Sequence, residues 1–295
     1  MLSKMKWWAG SYLRYLFELL GKKRKYRISG YAIQLDADHK LPAYQRDHPY
    51  YDKFLPHLVK HLPANTLVVD VGANVGDTLV GMISSNDKLH YLCVEASNHF
   101  FSDLKKNTRL LKEQNQALRI TLSNDFVGNE LTNVALEGQG GTKHAVQGAG
   151  SIRSKTLTAL ITEHGLTQGD ISLLKSDVDG FDWDVIRSSY EVLIDKPYVY
   201  FECQYDNLEQ LNSYREVITE MRVLGYSRFS FFDNFGQFVV STDNPSVIDD
   251  LLNYVARQNF HQGTRTYFYY DILAHSAEKA DEVYAILDAY NAYLN

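Results

Sequence analysis

Thr66-Leu-Val-Val-Asp-Val-Gly-Ala-Asn-Val-Gly-Asp-Thr78 couples an apolar run to a glycine-rich turn. Residues 66–71 form a short apolar, β-branched run, the composition of a strand buried in a parallel sheet. Gly72, Asn74 and Gly76 interrupt it, and residues 77–83 begin a helix. Strand, glycine turn and helix in that order bring backbone N–H groups against a ligand. Glycine serves there because a Cβ would block the approach or the turn's dihedrals. Asp70, at the strand end, can receive a ligand's cationic amine or orient the turn. Asp77 and Thr78 open the helix beside it. The spacing Asp-x-Gly-x-Asn-x-Gly departs from Gly-x-Gly-x-x-Gly, the fingerprint of dinucleotide sites.

Outward from this stretch, residues 90–95 form a second apolar run ending in Glu95, 19 positions after Gly76. In nucleotide-binding α/β folds an acid at that spacing takes the ribose hydroxyls. A carboxylate suits the task because it accepts both hydroxyl hydrogens. Residues 98–114 have a helical period, with Ser97 as candidate N-cap, and 118–122 form a third strand. Asp125 and Phe126 follow it: an acid for an adenine amine and a ring for its face, with turn and core as equally open readings. Segments 131–136 and 143–146 flank Gly138-Gln-Gly-Gly141 and predict a hairpin inserted at about 128–150. A capped helix over 154–163, strands over 170–176 and 198–203, and a helix over 208–224 continue the pattern. A hairpin of 226–232 with 237–241, a helix over 247–258, a strand over 266–273 and a closing helix over 277–294 complete it. The alternation predicts an α/β fold: a mostly parallel central sheet of about seven strands with helices on both faces.

Upstream lies an N-terminal extension, residues 1–50, set off from a sheet domain over 51–295. In residues 1–25 Trp7, Trp8, Tyr12, Leu16 and Leu20 are interleaved with Lys4, Lys6 and Arg14, before Lys22-Lys-Arg-Lys25. Such a helix can lie on an anionic membrane surface. Its apolar face is broad rather than segregated, which favours packing on the domain instead. His39-Lys-Leu-Pro-Ala-Tyr-Gln-Arg-Asp-His-Pro-Tyr-Tyr51 reads as a loop running into a helix over 51–61. A loop just before the first sheet strand can cover the ligand site, which makes His39, Tyr44 and His48 candidates.

The bulk numbers narrow the class. A chain of 295 residues with 45% hydrophobic and 22% charged residues has the composition of a globular protein. A net charge of −6 gives no reason to expect a nucleic-acid partner. Cys93 and Cys203 lie in apolar runs, as buried free thiols do, so a reducing cytoplasm is the expected compartment. No run reaches the length of a membrane span, and a peripheral contact of residues 1–25 at the inner membrane face stays open as the alternative to packing on the domain.

Lys175-Ser-Asp-Val-Asp-Gly180 follows the strand over 170–176. Two acids at i and i+2 leave a strand on the same side. Asp70, Glu95, Asp177 and Glu202 all end predicted strands, at the sheet edge where ligands of open α/β folds bind. Unpaired buried carboxylates are costly, so these four must meet cofactor, substrate, a cation or Lys175. Val-Asp-Val-Gly-Ala-Asn-Val-Gly-Asp (69–77), Val-Glu (94–95), Leu-Lys-Ser-Asp-Val-Asp-Gly (174–180) and Tyr-Phe-Glu (200–202), in that order, resemble the FkbM family of S-adenosylmethionine-dependent methyltransferases. The resemblance implies a Rossmann-like class I methyltransferase fold and S-adenosyl-L-methionine as cofactor. It also implies O-methylation of a sugar, glycan or other hydroxyl-bearing small molecule, in polysaccharide or glycolipid biosynthesis. The family reads Lys-Ile-Asp-Val-Glu-Gly where this chain has Lys175-Ser-Asp-Val-Asp-Gly180, which shortens the reach of residue 179.

An alcohol acceptor has a high pKa, so a base or a metal should help remove its proton. The candidates are Asp177, Asp179, His144 and His48, with Asp177 preferred for its strand-end position. Asp177, Asp179 and Glu202 also make a hard oxygen set for Mg²⁺. The expected cofactor contacts are Asp70, Gly72, Asn74, Gly76, Asp77, Thr78, Glu95, Asp125, Phe126 and Asp177. The expected substrate contacts are His39, Tyr44, Lys175 and Glu202. Two competing readings are a NAD-dependent oxidoreductase, against which Asn74 counts, and a non-catalytic interaction protein on a methyltransferase fold.

Overall fold

In the computed structural model the described residues are 23–37, 39–129, 134–137, 144–147, 153–261 and 265–294, with backbone alone for 134–137, 144–147 and 294. Residues 1–22, which carry most of the expected N-terminal helix, lie outside them. The chain opens on an antiparallel hairpin, β1 (Arg24–Ile28) and β2 (Tyr31–Leu35), then α1 (Leu41–Asp47) and α2 (Phe54–Val59). An alternating series follows: β3 (Leu67–Val71), α3 (Asp77–Ser85), β4 (His90–Val94), α4 (Asn98–Gln114) and β5 (Arg119–Ser123). Next come β6 (Phe126–Val127), the antiparallel pair β7 (Val134–Glu137) and β8 (His144–Gln147), β9 (Ser154–Lys155) and α5 (Leu157–Glu163). Then come β10 (Ile171–Ser176), α6 (Asp182–Arg187), α7 (Tyr190–Leu193), β11 (Tyr198–Gln204) and α8 (Leu208–Val223). The chain closes with β12 (Tyr226–Asp233), β13 (Phe238–Thr242), α9 (Pro245–Asn259), β14 (Tyr269–Ser276) and α10 (Ala280–Leu294).

Among the described residues the main sheet has eight strands in the order β13-β12-β14-β11-β10-β3-β4-β5. Strands β5, β4, β3, β10 and β11 run parallel, and β14 enters antiparallel between β11 and β12. This is the Rossmann-like class I methyltransferase fold. The strand beyond the expected seven is β13, added at the edge by a hairpin with β12. The chain winds outward from β3 to β5, then returns to the other side of β3 as β10. That reversal opens a crevice at the strands' carboxyl ends, between β3 and β10.

Period-two alternation distributes the sheet's side chains between two cores. Leu67, Val69 and Val71 face one core with α5, α6, α7, α8 and α9. Val68 faces the other, with the hairpin, α2, α3, α4 and α10. The same parity puts Leu173, Tyr198, Tyr200 and Leu273 on the second face. Near the carboxyl ends that face turns polar, at Asp70, Lys175, Glu202 and Asp271. Asp70 and Lys175 are register partners in adjacent strands, and their side chains form a 3.0 Å ion pair. Asp70 is 0% exposed and Lys175 2%. Burial alone would push the ammonium's pKa down, but Asp70 and Asp177 outweigh it and hold Lys175 above the usual lysine range.

Two local expectations are corrected. Residues 41–47 form α1 rather than loop, because Pro42 falls in the first turn, where its missing N–H and fixed φ fit a helix. The helix expected from residue 51 starts only at Phe54, because Asp52 is left-handed at φ 58°. Among the described residues no helix is long and apolar enough to cross a membrane.

Lys175→Met should destabilise the protein by about 3–5 kcal/mol, because it strands a fully buried Asp70 carboxylate. Asp70→Leu/Lys175→Met should recover much of that loss in chemical denaturation. A double-variant loss equal to the sum of the Asp70→Leu and Lys175→Met losses would show that the pair is not coupled.

Candidate active site

The crevice is lined by two turns that touch. Gly72, at φ 78°, follows β3, and a Cβ there would lie 1.9 Å from the carbonyl oxygen of Asp177. The Asp177 N–H in turn donates to the Val71 carbonyl at 3.1 Å. Gly72 is therefore required by the protein's own second turn. Gly76, at φ 90°, ends the first turn and leaves Asp77 and Thr78 at the start of α3. Lys175 bridges both turns: it donates to the Gly72 carbonyl at 3.3 Å and lies 3.4 Å from the Asp177 carboxylate.

Asp182 shapes the second turn from below. It is 0% exposed and accepts from the Ser176 hydroxyl at 2.5 Å, the Val178 N–H at 3.2 Å and the Tyr214 hydroxyl at 3.3 Å. Burial, opposed in part by Ser176, lifts its pKa to about 7. Asp179 adopts a left-handed backbone at φ 51°, and burial together with Asp177 and Asp182 raises its pKa to about 7 as well. Asp tolerates that conformation better than the longer Glu of the family pattern, since short polar side chains are enriched there.

On the β4 side the crevice is a narrow slot of about 60 Å³. Glu95 lies in its wall, 8% exposed, with its two oxygens accepting from the Asn74 N–H at 2.9 Å and the Ser97 N–H at 2.7 Å. Each oxygen keeps a further lone pair. Phe100, Phe126 and Asp125 complete that end of the slot. Burial opposes the Asp125 charge, but Ser123 and Lys155 hold it below the usual carboxylate range.

On the β11 side the crevice widens into a chamber of about 390 Å³. Gly72, Asn74, Asp177 and Asp179 line both compartments, so slot and chamber are one cleft. Asp77 and Thr78 line the chamber, as do His39, Tyr44, Lys175 and Glu202. His39 Nδ1 accepts the Leu41 N–H at 3.3 Å, which places its ring proton on Nε2. The segment between β2 and α2 thus forms a wall of the chamber.

Several expected contacts fall elsewhere. Asp70 lies beneath the cleft, inside the sheet, where it holds Lys175 rather than a ligand's amine. Gly76 lines neither compartment and packs towards Leu104. His48 stacks on Phe235, ring centroids 4.3 Å apart, and does not line the chamber. His144 falls on the β7–β8 pair, whose side chains lie outside the described residues. The Mg²⁺ set is not assembled: Asp177, Asp179 and Glu202 do not bring ligand atoms within 4.8 Å of one another. Among the described residues Asp36, His99 and Asp103 do, but Lys23 already bridges Asp36 and Asp103.

Four site residues escaped the sequence reading. Asp52 and Asp271 line the chamber with Tyr269, and Asp182 builds the turn. Asp271 carried a usable signal, a lone acid inside the apolar run Tyr269-Tyr-Asp-Ile-Leu273. Asp52 carried none, because tertiary packing alone brings its loop to the sheet. Burial, with Asp77 and Asp177, lifts Asp52 to about 8. Burial, with Asp177 and Asp52, raises Asp271 well above the usual carboxylate range.

These raised values set the pH dependence of folding. Between about pH 4 and 8 the folded state keeps protons on Asp52, Asp179 and Asp182 that the unfolded chain releases. Stability of the ligand-free protein should therefore fall as pH rises through this window, by about 1 kcal/mol per pH unit for each group still protonated. Asp52→Asn should flatten the slope in denaturation curves taken across the window. A stability that rises over the same range would contradict the assignment.

Residues 70–228 match the family described as Methyltransferase FkbM domain. No curated protein matches the chain. Similar solved structures include a SAM-dependent methyltransferase from Agrobacterium tumefaciens, 8% identical, covering 86% of this chain and 70% of that one, TM-score 0.47. Methyltransferase FkbM from Methylobacillus flagellatus KT is 13% identical over 79% of this chain and 58% of that one, TM-score 0.38. TYW2 from M. jannaschii, in complex with AdoMet, is 9% identical over 85% of this chain and 84% of that one, TM-score 0.43. The family match runs from Asp70 through the Lys175–Gly180 turn and Glu202 to Arg228, so it contains both turns of the cleft, and the chain belongs to the methyltransferase FkbM domain family.

Proposed function

We propose that this protein transfers a methyl group from S-adenosylmethionine to a hydroxyl of a sugar, glycan or related small molecule. The observation that carries this reading is the cleft's two-part shape: a slot walled by Glu95 and aromatic rings opens, at Asp177 and Asp179, into a larger chamber. The residues fit such a cofactor. Glu95 retains lone pairs for ribose hydroxyls, Phe100 and Phe126 flank the slot, and Asn74 and Asp77 stand at the first turn. S-Adenosylmethionine, when bound, supplies a methyl group made electrophilic by its sulfonium, so the protein's main task is alignment.

Asp177 and Asp179 are the groups that can take the hydroxyl's proton, since both lie where slot meets chamber. A base works best with a pKa near the operating pH, and Asp179 is held at about 7. Lys175 keeps the Asp177 carboxylate oriented. Tyr44, Tyr51, Tyr200, Phe268 and Tyr269 give the chamber aromatic faces suited to a sugar ring, and its volume is in the range of small-molecule sites. An acceptor of this kind fits a place in polysaccharide or glycolipid assembly.

Calorimetric titration with S-adenosylhomocysteine tests the reading. Binding should occur, and Glu95→Gln should weaken it about 10- to 100-fold, the effect of a lost hydrogen bond to a charged group. No binding at millimolar ligand would sink the proposal, and binding of NAD instead would favour an oxidoreductase. With an acceptor in hand, Asp177→Asn or Asp179→Asn should lower kcat by about 10²- to 10⁴-fold while changing cofactor affinity far less. If neither variant slows turnover, proton removal lies elsewhere.

A further inference from the structure

The inner wall of the chamber is built by β11 and β14. Their antiparallel register sets Glu202 directly opposite Asp271, and both side chains line the chamber. Directly opposed like charges destabilise a sheet. Alternation presents Tyr198, Tyr200 and Glu202 from β11 and Tyr269, Asp271 and Leu273 from β14 to this face, so the two strands supply no cation, although the Tyr200 hydroxyl donates to the Asp271 carboxylate. Glu202 is 7% exposed, and its Oε1 has no hydrogen-bond partner among the described residues. Lys175 is engaged by Asp70, Asp177 and the Gly72 carbonyl. Lys40 and Lys53 line the chamber from the segments that lead into α1 and α2.

The cofactor's positive charge does not answer for this pair. Asp177 and Asp179 line both compartments and are placed to meet it, whereas Glu202 and Asp271 line the chamber alone. A buried carboxylate oxygen without a partner is costly, and Glu202 Oε1, held beside the Asp271 carboxyl in a ligand cavity, is placed for a positive ligand group.

Building on the methyltransferase reading, we infer that the acceptor is a hydroxyl compound that also carries a protonated amine, an amino sugar or amino alcohol, whose ammonium group docks between Glu202 and Asp271. An ammonium offers three donors, enough to serve both carboxylates at once. Tyr200, Phe268 and Tyr269 also line the chamber, and aromatic rings attract a nearby cation. Protonation removes the nitrogen's lone pair, so the amine anchors the acceptor and leaves a hydroxyl as the nucleophile.

The test uses the full chain saturated with S-adenosylhomocysteine, titrated with glucosamine, glucose and N-acetylglucosamine at a pH that keeps the amine protonated. Ligand-observed NMR reads the affinities. Glucosamine should bind about tenfold or more tightly than the two uncharged sugars. Glu202→Gln and Asp271→Asn should each erase most of that preference while S-adenosylhomocysteine still binds, which also reports that the variants fold. Equal affinity for all three sugars would overturn the inference, as would Mg²⁺ binding to the wild type that Glu202→Gln abolishes. Failure of S-adenosylhomocysteine itself to bind would instead overturn the methyltransferase reading, and this inference with it.

Discussion

The ion pair between Asp70 and Lys175 sits where the strand order reverses, and the cleft is organised around it. The pair is fully desolvated, so its attraction is largely spent in offsetting the cost of taking two charges out of water. Its value lies in position. Lys175 reaches from the pair to the Gly72 carbonyl and to Asp177, one contact on each of the two turns that form the cleft. A shorter or uncharged side chain would leave those turns held by a single backbone hydrogen bond and by the close packing of Gly72 on Asp177.

Around that pair the chamber collects more acidic groups than folding alone calls for. Asp52, Asp77, Asp177, Asp179, Glu202 and Asp271 all line it. Asp52 and Asp179 also occupy left-handed backbone conformations. Unfavourable backbone and unfavourable charge in the same place are the signature of a site kept for its ligands, with compensation from the two apolar cores that flank the sheet.

Two features that look ligand-directed in the sequence turn out to serve the protein first. Gly72 suggests close approach of a cofactor, and the structure shows that the backbone of Asp177 already occupies the space of a Cβ. Glu95 suggests a free acceptor for ribose, and its oxygens already anchor the N–H groups of Asn74 and Ser97. In both cases the residue type was legible because local geometry demands it. The partner was not, because it comes from a strand or turn distant in the sequence.

The alternation of strands and helices, the turn after β3 and the acids that end the parallel strands are all written locally in the chain. These follow from period, glycine placement and spacing, which are local properties of the chain. That Asp70 belongs to Lys175, that His48 stacks on Phe235, and that Asp271 stands opposite Glu202 emerges from folding alone. Each of those depends on strand register or on the packing of a loop. Register and packing are set by the summed burial of two cores, which no short stretch of sequence contains.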